Sequence, residues 1–103
     1  MFRIQGIIWD DDSELHIWIR HKVSVSEVEE AVYALKLALR GRNGTYEVYG
    51  QPEAGRYLFI VIRILPDDFA GVVTARDMTL MERRRYRQYM LPPLFNSPEI
   101  AGR

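Results

Sequence analysis

Val72-Val73-Thr74-Ala75-Arg76-Asp77-Met78-Thr79-Leu80-Met81-Glu82-Arg83-Arg84-Arg85-Tyr86-Arg87 is the stretch from which the rest of the chain can be read. A β-rich apolar run ends on Arg76. Thr79 and Glu82 then have the spacing of a capping box, in which each side chain bonds the other's backbone N–H. A helix is therefore expected from Thr79 to about Met90, stopped by Pro92-Pro93. It carries four arginines between positions 83 and 87. A strand that delivers an arginine to the mouth of a basic helix suits a phosphate, because free N–H groups and a guanidinium fork converge there.

Working backwards, Phe69 to Arg76 reads as the last strand and Pro66-Asp67-Asp68 as a turn. Arg56 to Leu65 is apolar on both faces, as in a central strand covered on both sides. Gly50 to Gly55 is a turn region, and Thr45 to Tyr49 an earlier strand. Consecutive strands joined by short turns imply an antiparallel meander.

Upstream, Phe2 to Trp9 reads as a short strand with Gly6 as a candidate bulge. Asp10-Asp11-Asp12 supplies cap oxygens for a helix ending near Arg20 or His21. Leu15, Trp18 and Ile19 at i, i+3, i+4 are expected to face the core. A second helix opens with Ser24 and Glu27, or equally Ser26 and Glu29, as its capping box. Val28, Val32, Leu35 and Leu39 continue its stripe, and Gly41 with Asn43-Gly44 is expected to end it. The order is β-α-α-β-β-β-α, an α+β architecture. Residues 1–91 form the expected single domain and 92–103 a loose tail.

The 103 residues carry no cysteine, which excludes disulfides and thiolate metal sites, and no net charge. Residues 1–35 hold seven acids and three bases, whereas residues 36–103 hold eleven bases and seven acids. That asymmetry can build one basic face on a neutral protein. Tyr57 to Ile62 is too short an apolar run to span a bilayer. The N-terminus lacks a basic-then-apolar signal, so a cytoplasmic protein with no membrane partner is expected.

If the phosphate belongs to an RNA backbone, cleavage by 2′-hydroxyl attack would need a proton acceptor, a cation for the phosphorane and a proton donor for the leaving oxygen, and no metal. No cofactor is expected. Arg76 and Arg83 are candidates for the cation, with Arg84, Arg87, Lys22 and Arg20 as further RNA contacts. Arg76 could equally pair with Glu29 or Glu30. His21 has the right pKa for proton transfer, but its place at a helix end also suits a carbonyl cap. Tyr86 and Tyr89 could stack on bases, although their spacing fits a core stripe better. The Asp10–Asp12 run is better explained by capping than by a cation.

Ile8-Trp9-Asp10, Arg20-His21-Lys22-Val23-Ser24 with Glu29, Tyr49-Gly50-Gln51, Gly55-Arg56-Tyr57-Leu58, and Val73-Thr74-Ala75-Arg76 followed by Glu82-Arg83-Arg84 occur in one order and spacing. Together they resemble the BrnT-like toxin family of bacterial type II toxin–antitoxin systems, over roughly residues 7–89. The resemblance implies a RelE-like fold and a ribonuclease toxin held inactive by an antitoxin with a ribbon-helix-helix part. Operator DNA would be bound only through that antitoxin. Members often have glycine at the position of Lys22 and arginine at that of Gln51, and they tend to be more basic. A catalytically inactive interaction module of the same fold is the alternative.

Overall fold

The computed structural model describes residues 4–34, 36–53 and 55–90. Its elements are β1 (Gly6–Ile8), α1 (Asp11–His21), α2 (Val25–Ala34), β2 (Leu37–Arg40), β3 (Thr45–Gly50), β4 (Leu58–Ile64), a 3-10 turn (Pro66–Asp68), β5 (Phe69–Asp77) and α3 (Leu80–Met90). The α+β class stands. The sheet has five strands in the order β1-β5-β4-β3-β2. Its β2 to β5 part is an antiparallel meander, but β1 pairs parallel with β5, so the whole sheet is mixed.

β4 shows why this sheet has two cores. Leu58, Ile60 and Ile62 are fully buried with Ile17, Val23, Val28, Ala31 and Val32 from the α1–α2 side. The alternate residues Phe59 and Val61 join Leu37, Tyr49, Met78 and Tyr86 on the opposite face, under α3. Successive side chains on a strand point to opposite faces, and the unbroken apolar run from Leu58 to Ile62 serves both layers at once.

The helix starts follow the capping chemistry. Asp10 accepts from the backbone N–H of Ser13 at 2.7 Å. Ser24, rather than Ser26, forms the second capping box: Glu27 N–H donates to Ser24 Oγ at 3.2 Å and Ser24 N–H to Glu27 Oε1 at 3.1 Å. In the third box, Thr79 N–H donates to Glu82 Oε1 at 2.8 Å and Glu82 N–H to Thr79 Oγ1 at 3.2 Å. α1 ends at Lys22, which adopts φ 55° and returns its N–H to Trp18 O. That left-handed conformation favours glycine.

Several expectations are corrected. Leu15, Trp18 and Ile19 do not face the core: they are 56, 50 and 57% exposed, and Ile17 is buried in their place. At about 100° per residue, Leu15 and Ile19 lie on the side of the helix away from Ile17. α2 ends at Ala34, and Leu39 belongs to β2; Leu35 lies outside the described residues. Gly41 and Asn43-Gly44 therefore turn a β2–β3 hairpin, with Asn43 at φ 54° and Gly44 at φ 75°. Asn-Gly suits such a tight turn. Gly6 pairs in register with Phe69, and the register shift lies instead opposite Val61/Ile62. Phe2 and Arg3 of the first expected strand, Pro92-Pro93 and the expected tail lie outside the described residues.

Candidate functional site

The register shift decides where Arg76 goes. In β5, Ala70 and Val72 are buried on the α1–α2 face. Simple alternation would send Thr74 and Arg76 to that face as well. Pairing instead jumps from Ile62↔Val72 to Val61↔Thr74, leaving Val73 as the extra residue. The phase reverses: Ala75 enters the α1–α2 core, and Arg76 lies opposite Phe59 on the α3 face. Bulges commonly re-aim a side chain in this way.

On that face the guanidinium of Arg76 sits 4.2 Å from the Phe59 ring centroid. It donates to Glu82 through both terminal nitrogens, at 2.8 and 3.0 Å, and to Asp77 O at 3.0 Å. The bidentate pair keeps the Arg76 charge in place, and together with the Thr79 N–H it holds the Glu82 carboxyl below its ordinary range. Arg76 thus has a carboxylate partner, from the head of its own following helix rather than Glu29 or Glu30. Glu29 accepts from Trp9 Nε1 at 3.2 Å, and Glu30 accepts from Glu53 N–H.

One turn into α3, Arg83 and Arg87 converge on Tyr57, which immediately precedes β4. Arg83 lies 4.4 Å and Arg87 5.8 Å from the Tyr57 ring centroid. Tyr86, between them on the helix, is buried and packs its ring edge-on to Tyr57 at 6.0 Å. Hydrogen bonding and charge from Arg87, with a further contribution from Arg83, pull the Tyr57 phenol below its ordinary pKa. Arg83 Nε is buried without an acceptor among the described residues.

Tyr57 and Arg83 line a cleft of about 400 Å³ together with Gly55, Arg56, Asp77 and Met78, and Arg87 and Tyr86 lie beside it. The volume lies within the range of ordinary ligand sites. Arg56 is the other guanidinium of the lining. It donates to Asp77 Oδ1 at 2.6 Å, to Lys22 O at 2.6 Å and to His21 O at 2.7 Å. It also reaches Glu27 at 3.4 Å. The Asp77 carboxyl is held below its ordinary range, chiefly by the Arg56 hydrogen bond and also by the nearby charge of His21. Arg56 therefore ties the C-terminal end of α1, and His21 with it, to the end of β5. The His21 ring stands edge-on to His16 at 6.1 Å.

The structure brings Arg83 and Arg87 together and places His21 near the same cleft. Arg76 lies alongside, occupied by Glu82. Lys22 turns its ammonium over the Trp18 ring, 5.4 Å from the centroid. Arg20 and Arg84 are exposed on α1 and α3. Arg85 donates to Tyr49 Oη at 2.9 Å, a partnership with the sheet. Sequence reasoning missed Tyr57 and Arg56 as members of the site. Both stood in the quoted run Gly55-Arg56-Tyr57-Leu58. A polar pair abutting the apolar run Leu58–Ile62 was the available signal.

No protein-family model matches the chain, and no curated protein matches its sequence. A solved structure does match. The ribonuclease toxin BrnT of Brucella abortus, determined at 1.1 Å, superposes with a TM-score of 0.61 over 72% of this chain and 96% of that one, at 12% sequence identity. The chain thus has the BrnT fold, in agreement with the motif resemblance.

Proposed function

We propose that this protein is the toxin component of a type II toxin–antitoxin system: a cytoplasmic endoribonuclease held inactive by a cognate ribbon-helix-helix antitoxin. The observation that carries the reading is the Tyr57–Arg83–Arg87 cluster at the mouth of the cleft. It supplies a phenol with depressed pKa and two guanidinium groups at one point, on a fold shared with a ribonuclease toxin.

The chemistry assigned to it is cleavage by the adjacent ribose. Tyr57, as phenolate, takes the 2′-hydroxyl proton. The 2′-oxygen attacks phosphorus, and the bond from phosphorus to the 5′-oxygen breaks. Arg83 and Arg87 neutralise the charge on the non-bridging oxygens. His21 gives a proton to the departing 5′-oxygen. The products are a 2′,3′-cyclic phosphate and a 5′-hydroxyl. Arg76 adds a further cation if Glu82 releases it, and Arg84, Lys22 and Arg20 extend the contact along the strand.

The test is expression of the chain alone, together with incubation of the purified protein with RNA in EDTA. Growth arrest and cyclic-phosphate ends are expected, both lost in Arg83→Ala. Intact RNA and normal growth at verified soluble expression would sink the reading. One observation favours the alternative of an inactive interaction module: Arg76 is already neutralised by Glu82. That alternative expects a tight protein complex and no RNA ends under any condition.

A further inference from the structure

We infer that the outward face of α1 is a docking surface for a cationic amphipathic helix of the partner antitoxin. The inference rests on the toxin reading above and adds where the partner sits and what chemistry it carries. Leu15, Trp18 and Ile19 form one patch at i, i+3, i+4, each half or more exposed. Isolated exposed apolar residues are ordinary, but a contiguous patch on one helix face marks an interaction site. Two shallow clefts flank Trp18. One is lined by Asp11, Glu14, Leu15 and Trp18, the other by Glu14, Trp18, Val23, Ser24, Val25 and Ser26. Glu14 and Trp18 are the residues common to both.

The charge around the patch selects the occupant. Asp11, Asp12 and Glu14 are exposed at its N-terminal edge, where none makes an ion pair among the described residues, while the Lys22 ammonium lies over Trp18 at its C-terminal edge. Carboxylates beside an apolar patch repel RNA and anionic phospholipid alike. They complement a helix whose apolar stripe is bordered by Lys or Arg. Position adds a consequence. The carbonyls at the C-terminal end of α1 are bonded to Arg56, which lines the cleft. A partner seated on α1 is therefore attached to one wall of the proposed RNA site.

The test co-expresses this chain with the antitoxin encoded by its neighbouring reading frame and measures their affinity by calorimetry, alongside RNA cleavage by the free toxin. The double variant Leu15→Asp, Trp18→Ala should weaken the complex at least 100-fold while leaving cleavage unchanged. Glu14→Lys should weaken it about tenfold at low salt, and that difference should shrink as salt rises. Wild-type affinity in the double variant overturns the docking inference and leaves the toxin reading standing. So does wild-type capture by phosphatidylglycerol vesicles, or a change in the oligomeric state of the isolated chain when the patch is altered. Failure of any complex to form overturns the inference as well; cleavage by the free chain then still decides the toxin reading.

Discussion

Tyr57 carries the sharpest consequence at the scale of a single residue. If its phenolate accepts the 2′-hydroxyl proton, the cleavage rate must rise with pH as the phenol ionises and fall again where the acid that serves the leaving oxygen is lost, a bell-shaped profile. Tyr57→Phe keeps the ring that packs on Tyr86 and removes only the hydroxyl. It should lower kcat about 10²–10⁴-fold and flatten that alkaline rise, with an unchanged circular dichroism spectrum. An undiminished rate in Tyr57→Phe would remove the residue from the mechanism. Arg76 has a different signature. Its bidentate bond to Glu82 ties the end of β5 to the first turn of α3. Arg76→Ala leaves Glu82, whose side chain is 17% exposed, with only the capping bonds of Thr79. A stability loss of about 1–2 kcal/mol by urea denaturation is expected. Comparing Arg76→Ala with the isosteric Glu82→Gln separates support from chemistry. Loss of cleavage in the first, with cleavage retained in the second, would show that Arg76 reaches substrate.

Among the elements, α2 and β3 meet where glycine is required by space. A Cβ on Gly50 would stand 2.7 Å from Ala31 Cβ and 3.2 Å from Ala31 Cα, both on a buried helix face. Gly50→Ala must push β3 and α2 apart, at a cost of about 1–3 kcal/mol. A melting temperature matching wild type would show that the two can separate freely. Lys22 is the converse: at φ 55° a glycine there removes steric strain. Capping boxes, the Thr79–Met90 helix and the apolar central strand were legible in the sequence because each is a local signal. What was not legible depended on neighbours. Four apolar residues in α1, at positions 15, 17, 18 and 19, exceed what one face can bury, and periodicity finds a face without saying which side the sheet lies on. Leu39 fits a helix stripe with Leu35 as well as a strand with Leu37, and the hairpin of Asn43-Gly44 settles it only once β3 is there to pair. The parallel contact of β1 joins opposite ends of the sequence, which no local pattern encodes. The bulge that orients Arg76 was not read in the sequence either, because it appears only as a shift of pairing between β4 and β5.

Across the whole molecule, two ion pairs fix how the elements around the cleft meet. Arg56–Asp77 ties the end of α1 to the end of β5, and Arg76–Glu82 ties β5 to α3. Both carboxyls titrate below their ordinary values, Asp77 chiefly through its hydrogen bond to Arg56 and Glu82 chiefly through Arg76. A carboxyl whose folded pKa is depressed binds fewer protons when folded than when unfolded. Its contribution is fully present above the unfolded value, about 4 for either residue, and disappears as pH falls through the folded one. The Asp77 side chain is 63% exposed and its pair is screened by water, so it contributes the lesser share. Glu82, at 17%, contributes the greater. Glu82→Gln should therefore lower the melting temperature at pH 7 and converge on wild type below pH 4, whereas Asp77→Asn should show the same convergence with a smaller gap. Parallel curves across the whole pH range would mean that these pairs do not hold α1 and α3 against the sheet. The walls of the cleft would then have to be positioned by the Tyr57–Tyr86 packing and the two apolar cores alone.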